Sequence, residues 1–303
     1  MTTLVRRPTM SIDTSAATEI TLFEQLEVDW NESEGTVWCH WRPHPRPCFN
    51  TDLLAEISTL PSRLPVDEIE AAANAGQPCF FVVGSRTPGV FNLGGDLALF
   101  KRLIKARDRV GLEHYALSCI DAVHLAHTSA GLPMTSIGLV QGTALGGGME
   151  AALACNVIVA ERGSQMGLPE VMFNLFPGMG AYSFLSRRLG PTETERVILS
   201  GKIWQAEELH ELGVVDHLAE PGEGEQMVRD YIAERRRRSP NAMVAMQAVR
   251  QVTNPVTYEE LERVTQIWVD AALRLNDRDL KIMDRLVRSQ DKSGRAPAAI
   301  AAV

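Results

Sequence analysis

The chain has 303 residues, with 30 Lys+Arg against 38 Asp+Glu for a net charge of −8, and it is 45% hydrophobic and 22% charged. These are globular proportions, and a chain of this length buries a large core without crosslinks, which excludes a disordered, collagen-like or disulfide-scaffold protein. The five cysteines (Cys39, Cys48, Cys79, Cys119 and Cys155) fall at irregular spacings, which fits reduced thiols in a cytoplasmic protein better than disulfides or a zinc module. Residues 235–303 carry 13 basic and 8 acidic side chains, so an acidic body bears a basic C-terminal part. The four arginines at 235–238 read as a solvated helix face, because no nucleic-acid signature accompanies them.

In chain order, residues 1–18 are Thr/Ser-rich and aperiodic, and 293–303 are Gly/Ala/Pro-rich, so both ends are expected to be flexible. No apolar run follows Arg6 and Arg7, so no secretory or transit segment is expected. Residues 36–41 and 79–84 predict buried strands. Tyr115, Cys119, Ala122, Val123 and Ala126 stand at helical spacing within 112–130, and Gly131-Leu132-Pro133 ends that helix. A strand over 135–140, glycines at 142 and 146–148, a short helix over 149–155 and a strand over 157–160 follow. Helices are expected over 180–189, 192–200 and 206–212, then a last strand over 214–218. From 224 the pattern is helical, one helix carrying Leu261, Val264, Ile267, Trp268, Ala271 and Ala272 on one face. Residues 122–149 lack Asp, Glu, Lys and Arg but hold six glycines and Pro133, so they predict buried core and no membrane span. The reading is a core over 19–223, a helical region over 224–292 serving the site and oligomerisation, and two flexible ends.

Two carboxylates stand alone. Glu150 is the only charged residue from 122 to 160, and Glu170 the only one from 163 to 186. A carboxylate in an apolar segment is hydrogen-bonded, paired, or kept partly protonated, and the last state is how a general acid/base near neutral pH is made. Each glutamate alone fits a buried cap or an arginine partner; two of them beside glycine-rich turns point to a dyad.

The glycines supply hydrogen-bond donors. Gly146, Gly147 and Gly148, just before a helix, bring backbone N–H groups close to a ligand, and Gly94 and Gly95 offer a second set. Two donors and two carboxylates suit chemistry at a thioester, where an enolate or tetrahedral oxyanion forms beside a proton transfer. A dinucleotide fold is disfavoured: Gly146-x-Gly148-x-x-Ala151 is followed by Glu161 only ten residues on, about half the needed separation. No Gly-x-Ser-x-Gly elbow exists, which disfavours a serine hydrolase. His124 with His127, and His40 with His44, lack further ligands in motif, so no metal site is expected.

The segments 139–150 (LVQGTALGGGME), 166–170 (MGLPE) and 176–180 (FPGMG) resemble the crotonase (enoyl-CoA hydratase/isomerase) superfamily over residues 80–218. That resemblance implies an α/β fold, a spiral of ββα units with a C-terminal helical region, and a trimer or dimer of trimers. It also implies Glu150 and Glu170 as the catalytic pair, Glu170 acting mainly at the α-carbon and Glu150 at the hydroxyl or water, with the amides of Leu93 and Gly147 as the oxyanion hole. Residues 90–97, 167–173, 175–185 and 267–270 are similar to the diffusible signal factor synthases of Gram-negative bacteria. This similarity implies dehydration of a 3-hydroxyacyl thioester on acyl carrier protein to the cis-2-enoyl form, and hydrolysis to a free fatty-acid signal. No cofactor is implied.

Gly94, Gly95, Gly146, Gly148, Met172, Phe173, Leu175, Phe176 and Trp268 are the expected substrate-binding residues. Lys101, Lys105 and Arg109 at i, i+4 and i+8, with Arg102 beside them, predict a basic stripe for docking an acidic carrier protein. The alternatives are an ordinary enoyl-CoA hydratase acting on CoA thioesters, and a non-catalytic crotonase-fold protein that binds a signalling partner.

Overall fold

The computed structural model describes residues 17–19 and 23–293. Its eleven strands are β1 (Ala17–Glu19), β2 (Leu26–Asn31), β3 (Thr36–Trp41), β4 (Cys79–Ser85), β5 (Val90–Asn92), β6 (Met134–Val140), β7 (Thr143–Leu145), β8 (Val157–Glu161), β9 (Gln165–Gly167), β10 (Ile203–Gln205) and β11 (His217–Ala219). They form two sheets, ordered β1-β2-β3-β4-β6-β8-β11 and β10-β9-β7-β5. The chain alternates between them: β4 and β5, β6 and β7, β8 and β9 each place one strand in the first sheet and the next in the second, followed by helix. This is the expected spiral of ββα units.

Burial explains the strand sequences. β3 and β6 are buried at every position, because the parallel centre of the first sheet is covered on both faces. Phe81 and Val83 of β4 point into the larger core, whereas Phe80 and Val82 point to the other face, where helix Gly224–Arg238 lays Val228, Tyr231 and Ile232 against them. β2 lies at the edge of the covered region and alternates instead, with Leu26, Val28 and Trp30 inward.

The uncharged stretch 122–149 is the end of helix Arg109–Thr128, then β6, β7 and the start of helix Gly147–Ala154. Among the described residues no helix is long and apolar enough to cross a membrane. All five cysteines are buried and unpaired.

Three expectations need correction. Residues 17–19 pair with β2, so the ordered chain begins before residue 19; the rest of the N-terminal segment, and the tail after 293, lie outside the described residues. The last strand starts at His217 rather than 214, because the amides of Val214 and Val215 both donate to the Leu209 carbonyl and are still closing helix Ala206–Glu211. On helix Tyr258–Ala272, Leu261, Trp268 and Ala272 are buried as the pattern requires, but Ile267 is 60% exposed.

The helices after 224 are no appendage. Helix Tyr258–Ala272 and helix Asp277–Ser293 pack Trp268, Val269, Leu280 and Met283 onto Ile104, Leu112, Phe173 and Leu175, closing one side of the site.

Candidate active site

A largely apolar cavity of about 100 Å³ lies where the first turn of helix Gly147–Ala154 meets the loop after β5. Close approach of the two explains the glycines. A Cβ on Gly148 would stand 2.0 Å from the Asn92 carbonyl oxygen. One on Gly94, whose φ is +83°, would stand 2.8 Å from the Leu145 oxygen. The helix therefore starts directly against β5, its first N–H groups have no partner within the helix, and Gly147 of that first turn lines the cavity.

Glu150 sits in that first turn and is buried (1% exposed). Its Oε1 accepts hydrogen bonds from the Met179 amide at 2.7 Å and the Ala181 amide at 3.0 Å. Glu170 follows Pro169 in the short helical turn Pro169–Phe173; it keeps some surface on the cavity, but its Oε2 is shielded from solvent and has no partner. Both carboxyls are pushed above the usual carboxylate range, chiefly by burial. Glu150 is partly compensated by its two amide donors, whereas Glu170 is raised further by the charge of Glu150. Both carboxyls are thus held toward the protonated state near neutral pH, Glu150 with two amide donors to steady its charge and Glu170 with none on Oε2.

The donors differ from the sequence reading at one position. The Leu93 amide is engaged with the Pro47 carbonyl at 2.8 Å, so it is not available to a ligand. The amide of Gly95, two residues on, has no acceptor among the described residues, and Gly95 lines the cavity together with Gly147. The pair of spare donors is therefore Gly95 and Gly147.

Of the expected binding residues, Gly94, Gly95, Gly146, Phe173, Leu175 and Trp268 line the cavity, as does Leu93. Three do not. Gly148 is buried behind it against Asn92, Phe176 packs into the cluster around Trp268, and Met172 is 57% exposed on the outer side of its turn. Trp268 forms a wall, with its ring 4.9 Å from that of Phe100. Sequence reasoning missed Phe100, Cys119, Met179, Leu286 and Gln290, which also line the cavity. Leu286 and Gln290 stand one turn apart on the last helix, a spacing that marks an inward face but not what it faces. Burial holds the Cys119 thiol protonated, so it supplies no thiolate.

The basic stripe is not formed. Helix Leu97–Ala106 ends at Arg107, whose φ is +51°, and Asp108 caps a second helix that begins at Arg109. Lys101 is paired with Asp284, and Arg109 with Asp270 at 2.5 Å, so both hold the C-terminal helices in place. The histidines act within the fold: His127 contacts the Ala154 carbonyl through Nδ1 and accepts from the Val256 amide at Nε2, and the His124 ring meets Tyr258 edge to face. Glu161, at the end of β8, accepts from Gln141 and from the Gly224 amide.

Comparison with known proteins gives the same picture. Residues 79–277 match the model of the enoyl-CoA hydratase/isomerase family. The human mitochondrial methylglutaconyl-CoA hydratase is 31% identical over 192 residues, which are 63% of this chain and 54% of that protein, so the similarity spans about half the length of that relative. An enoyl-CoA hydratase structure from Bacillus halodurans superposes with a TM-score of 0.68 at 19% identity, covering 88% of this chain and all of that one. The structure of Pseudomonas aeruginosa DspI superposes with a TM-score of 0.60 at 25% identity, covering 90% of this chain and 100% of that chain. With the fold, the paired glutamates and the family match in agreement, the chain belongs to the enoyl-CoA hydratase/isomerase family, within the crotonase superfamily.

Proposed function

We propose that the protein interconverts 3-hydroxyacyl and 2-enoyl thioesters and hydrolyses the thioester, so that a carrier-bound 3-hydroxyacyl chain leaves as a free 2-unsaturated fatty acid. The observation that carries the chemistry is the convergence of two shielded glutamates, both with raised proton affinity, and two unengaged amides on one apolar cavity.

The thioester oxygen is taken to lie between the Gly95 and Gly147 amides, which stabilise the enolate as it forms. In dehydration the α-proton passes to Glu170 in its ionised state, the enolate expels the 3-hydroxyl, and Glu150 in its protonated state delivers a proton to the departing oxygen as water. Hydration runs the same steps backwards, with Glu150 in its ionised state activating water and Glu170 in its protonated state protonating the α-carbon. In hydrolysis a water activated by Glu150 attacks the carbonyl carbon. The same amides hold the tetrahedral oxyanion, and the thiol leaves with a proton from Glu170.

Release of a free acid signal is supported by the similarity of residues 90–97, 167–173 and 175–185 to diffusible signal factor synthases. A medium-length 3-hydroxyacyl chain on acyl carrier protein is expected to give a free cis-2-enoic acid, read by mass spectrometry after solvent extraction, without added metal or nucleotide. Accumulation of enoyl thioester alone, with no free acid above the enzyme-free control, refutes the synthase reading. It would favour a CoA-thioester hydratase, the reading supported by the methylglutaconyl-CoA hydratase similarity.

A further inference from the structure

The loop that carries the Gly95 donor is held by a residue nearly two hundred positions away. Group by group, the Leu93 amide donates to Pro47, the Gly94 amide to Asn92 Oδ1 at 2.7 Å and the Asp96 amide to the Tyr115 hydroxyl at 2.8 Å. The Gly94 carbonyl accepts from the Phe49 amide at 2.8 Å, and the Asp96 carbonyl from the Phe100 amide at 3.0 Å. The two remaining carbonyls, of Leu93 and Gly95, both accept from Nε2 of Gln290, at 2.9 and 3.0 Å. Only the Gly95 amide is left without an acceptor among the described residues.

The arrangement is specific to a primary amide. Its nitrogen carries two hydrogens, so one side chain satisfies both carbonyls, and a flipped amide would press an oxygen against two oxygens. The peptide plane bearing the Gly95 N–H is fixed at its own carbonyl by Phe49. The planes immediately before and after it are the two that Gln290 holds. Gln290 is 3% exposed and lines the cavity. Its helix, Asp277–Ser293, is tied down beside the same loop, since Asp291 pairs with Arg46 at 3.3 Å and Arg46 with Asp96 at 2.8 Å.

We propose that Gln290 is a positioning residue for thioester activation: it clamps the planes on either side of the Gly95 amide so that this N–H stays aimed into the cavity. The idea rests on the carbonyl-binding role assigned to Gly95 above. A misdirected donor lowers the rate of the chemical step while leaving the apolar pocket for the acyl chain intact, so the signature is a fall in kcat with little change in KM.

The test is Gln290→Met, which keeps length and shape but has no donor, with Gln290→Glu as a second variant that sets a carboxylate against the two carbonyls. With a medium-chain 2-enoyl-CoA, kcat is expected to fall about ten- to hundredfold and KM to stay within about threefold. In the ligand-free proteins, amide hydrogen exchange over 92–97 is expected to accelerate about tenfold or more, with the amides of 280–288 still protected. The exchange readout needs no substrate. Faster loop exchange in Gln290→Met, combined with a wild-type protein that turns over no thioester, would keep the clamp and refute the catalytic reading. Wild-type kcat and wild-type loop exchange in Gln290→Met overturn the clamp. So does loss of protection along the whole helix with a raised KM, which would make Gln290 a docking contact only.

Discussion

Glu170→Gln is expected to abolish the proposed hydratase activity and to make the protein more stable, with the gain dependent on pH. Glu170 has a shielded Oε2 without a donor and lies within the field of Glu150, so its ionised form is disfavoured in the fold. Its folded pKa is raised above the unfolded value, which means that the native state binds more protons than the unfolded state between those two values. Stability therefore falls as pH rises through that interval, and the ionised carboxylate opposes folding at its upper end. Because Glu170 keeps some surface on the cavity, the cost is placed at the low end for a buried unpaired charge, about 2 kcal/mol. Glutamine removes the charge at nearly constant shape. For a chain of this size about 2 kcal/mol corresponds to a rise in Tm of roughly 3 °C at pH 8.5, and the rise should vanish near pH 5, where the wild-type carboxyl is protonated. Calorimetry of both proteins across pH 5–9 reads this directly, and hydration of a 2-enoyl-CoA should fall about a hundredfold or more. An unchanged or lower Tm at pH 8.5, or a gain independent of pH, refutes the strained-carboxylate argument.

Gly147→Val should lower both hydration and thioester hydrolysis by about a hundredfold, since a Cβ there would stand 2.4 Å from Met179 Sδ and crowd the donor; circular dichroism checks that the fold persists, and unchanged hydrolysis would mean that the two reactions do not share this amide. Trp268→Ala, which empties part of the cavity wall, should destabilise by about 3–5 kcal/mol and shift kcat/KM toward bulkier acyl chains. Met172→Ala, on the outer side of its turn, should change kcat/KM less than about twofold; a large effect at Met172 would place the acyl chain elsewhere. With Lys101 and Arg109 engaged in ion pairs, any carrier-protein contact on this face falls to Arg102 and Lys105. Reversing both charges should weaken carrier-bound substrates most at low salt and spare CoA substrates, and equal loss with both substrate types would exclude docking there.

Much of the architecture is legible in local sequence because local sequence reports burial. A short, β-former-rich apolar run ending in glycine, as in β4, points to a strand covered on both faces, and Glu150 and Glu170 are conspicuous because a lone carboxylate in apolar surroundings needs a reason to be there. The glycines at 94 and 146–148 likewise announce a close approach of backbone to backbone. What the sequence does not contain is which polar group stays unengaged once the chain has folded. Leu93 and Gly95 are both amides in one glycine-rich loop, and only the arrival of Pro47 at one and of Phe49 and Gln290 around the other makes Gly95 the available donor. The same holds for charge. Lys101 and Arg109 form a stripe only if one helix runs through both; the left-handed turn at Arg107 and the carboxylates of Asp284 and Asp270, distant in sequence, turn them into ties for the C-terminal helices. Periodicity sets which face of an element is apolar, whereas hydrogen-bond and ion partners are chosen by tertiary proximity, and this site is made of what those partners leave free.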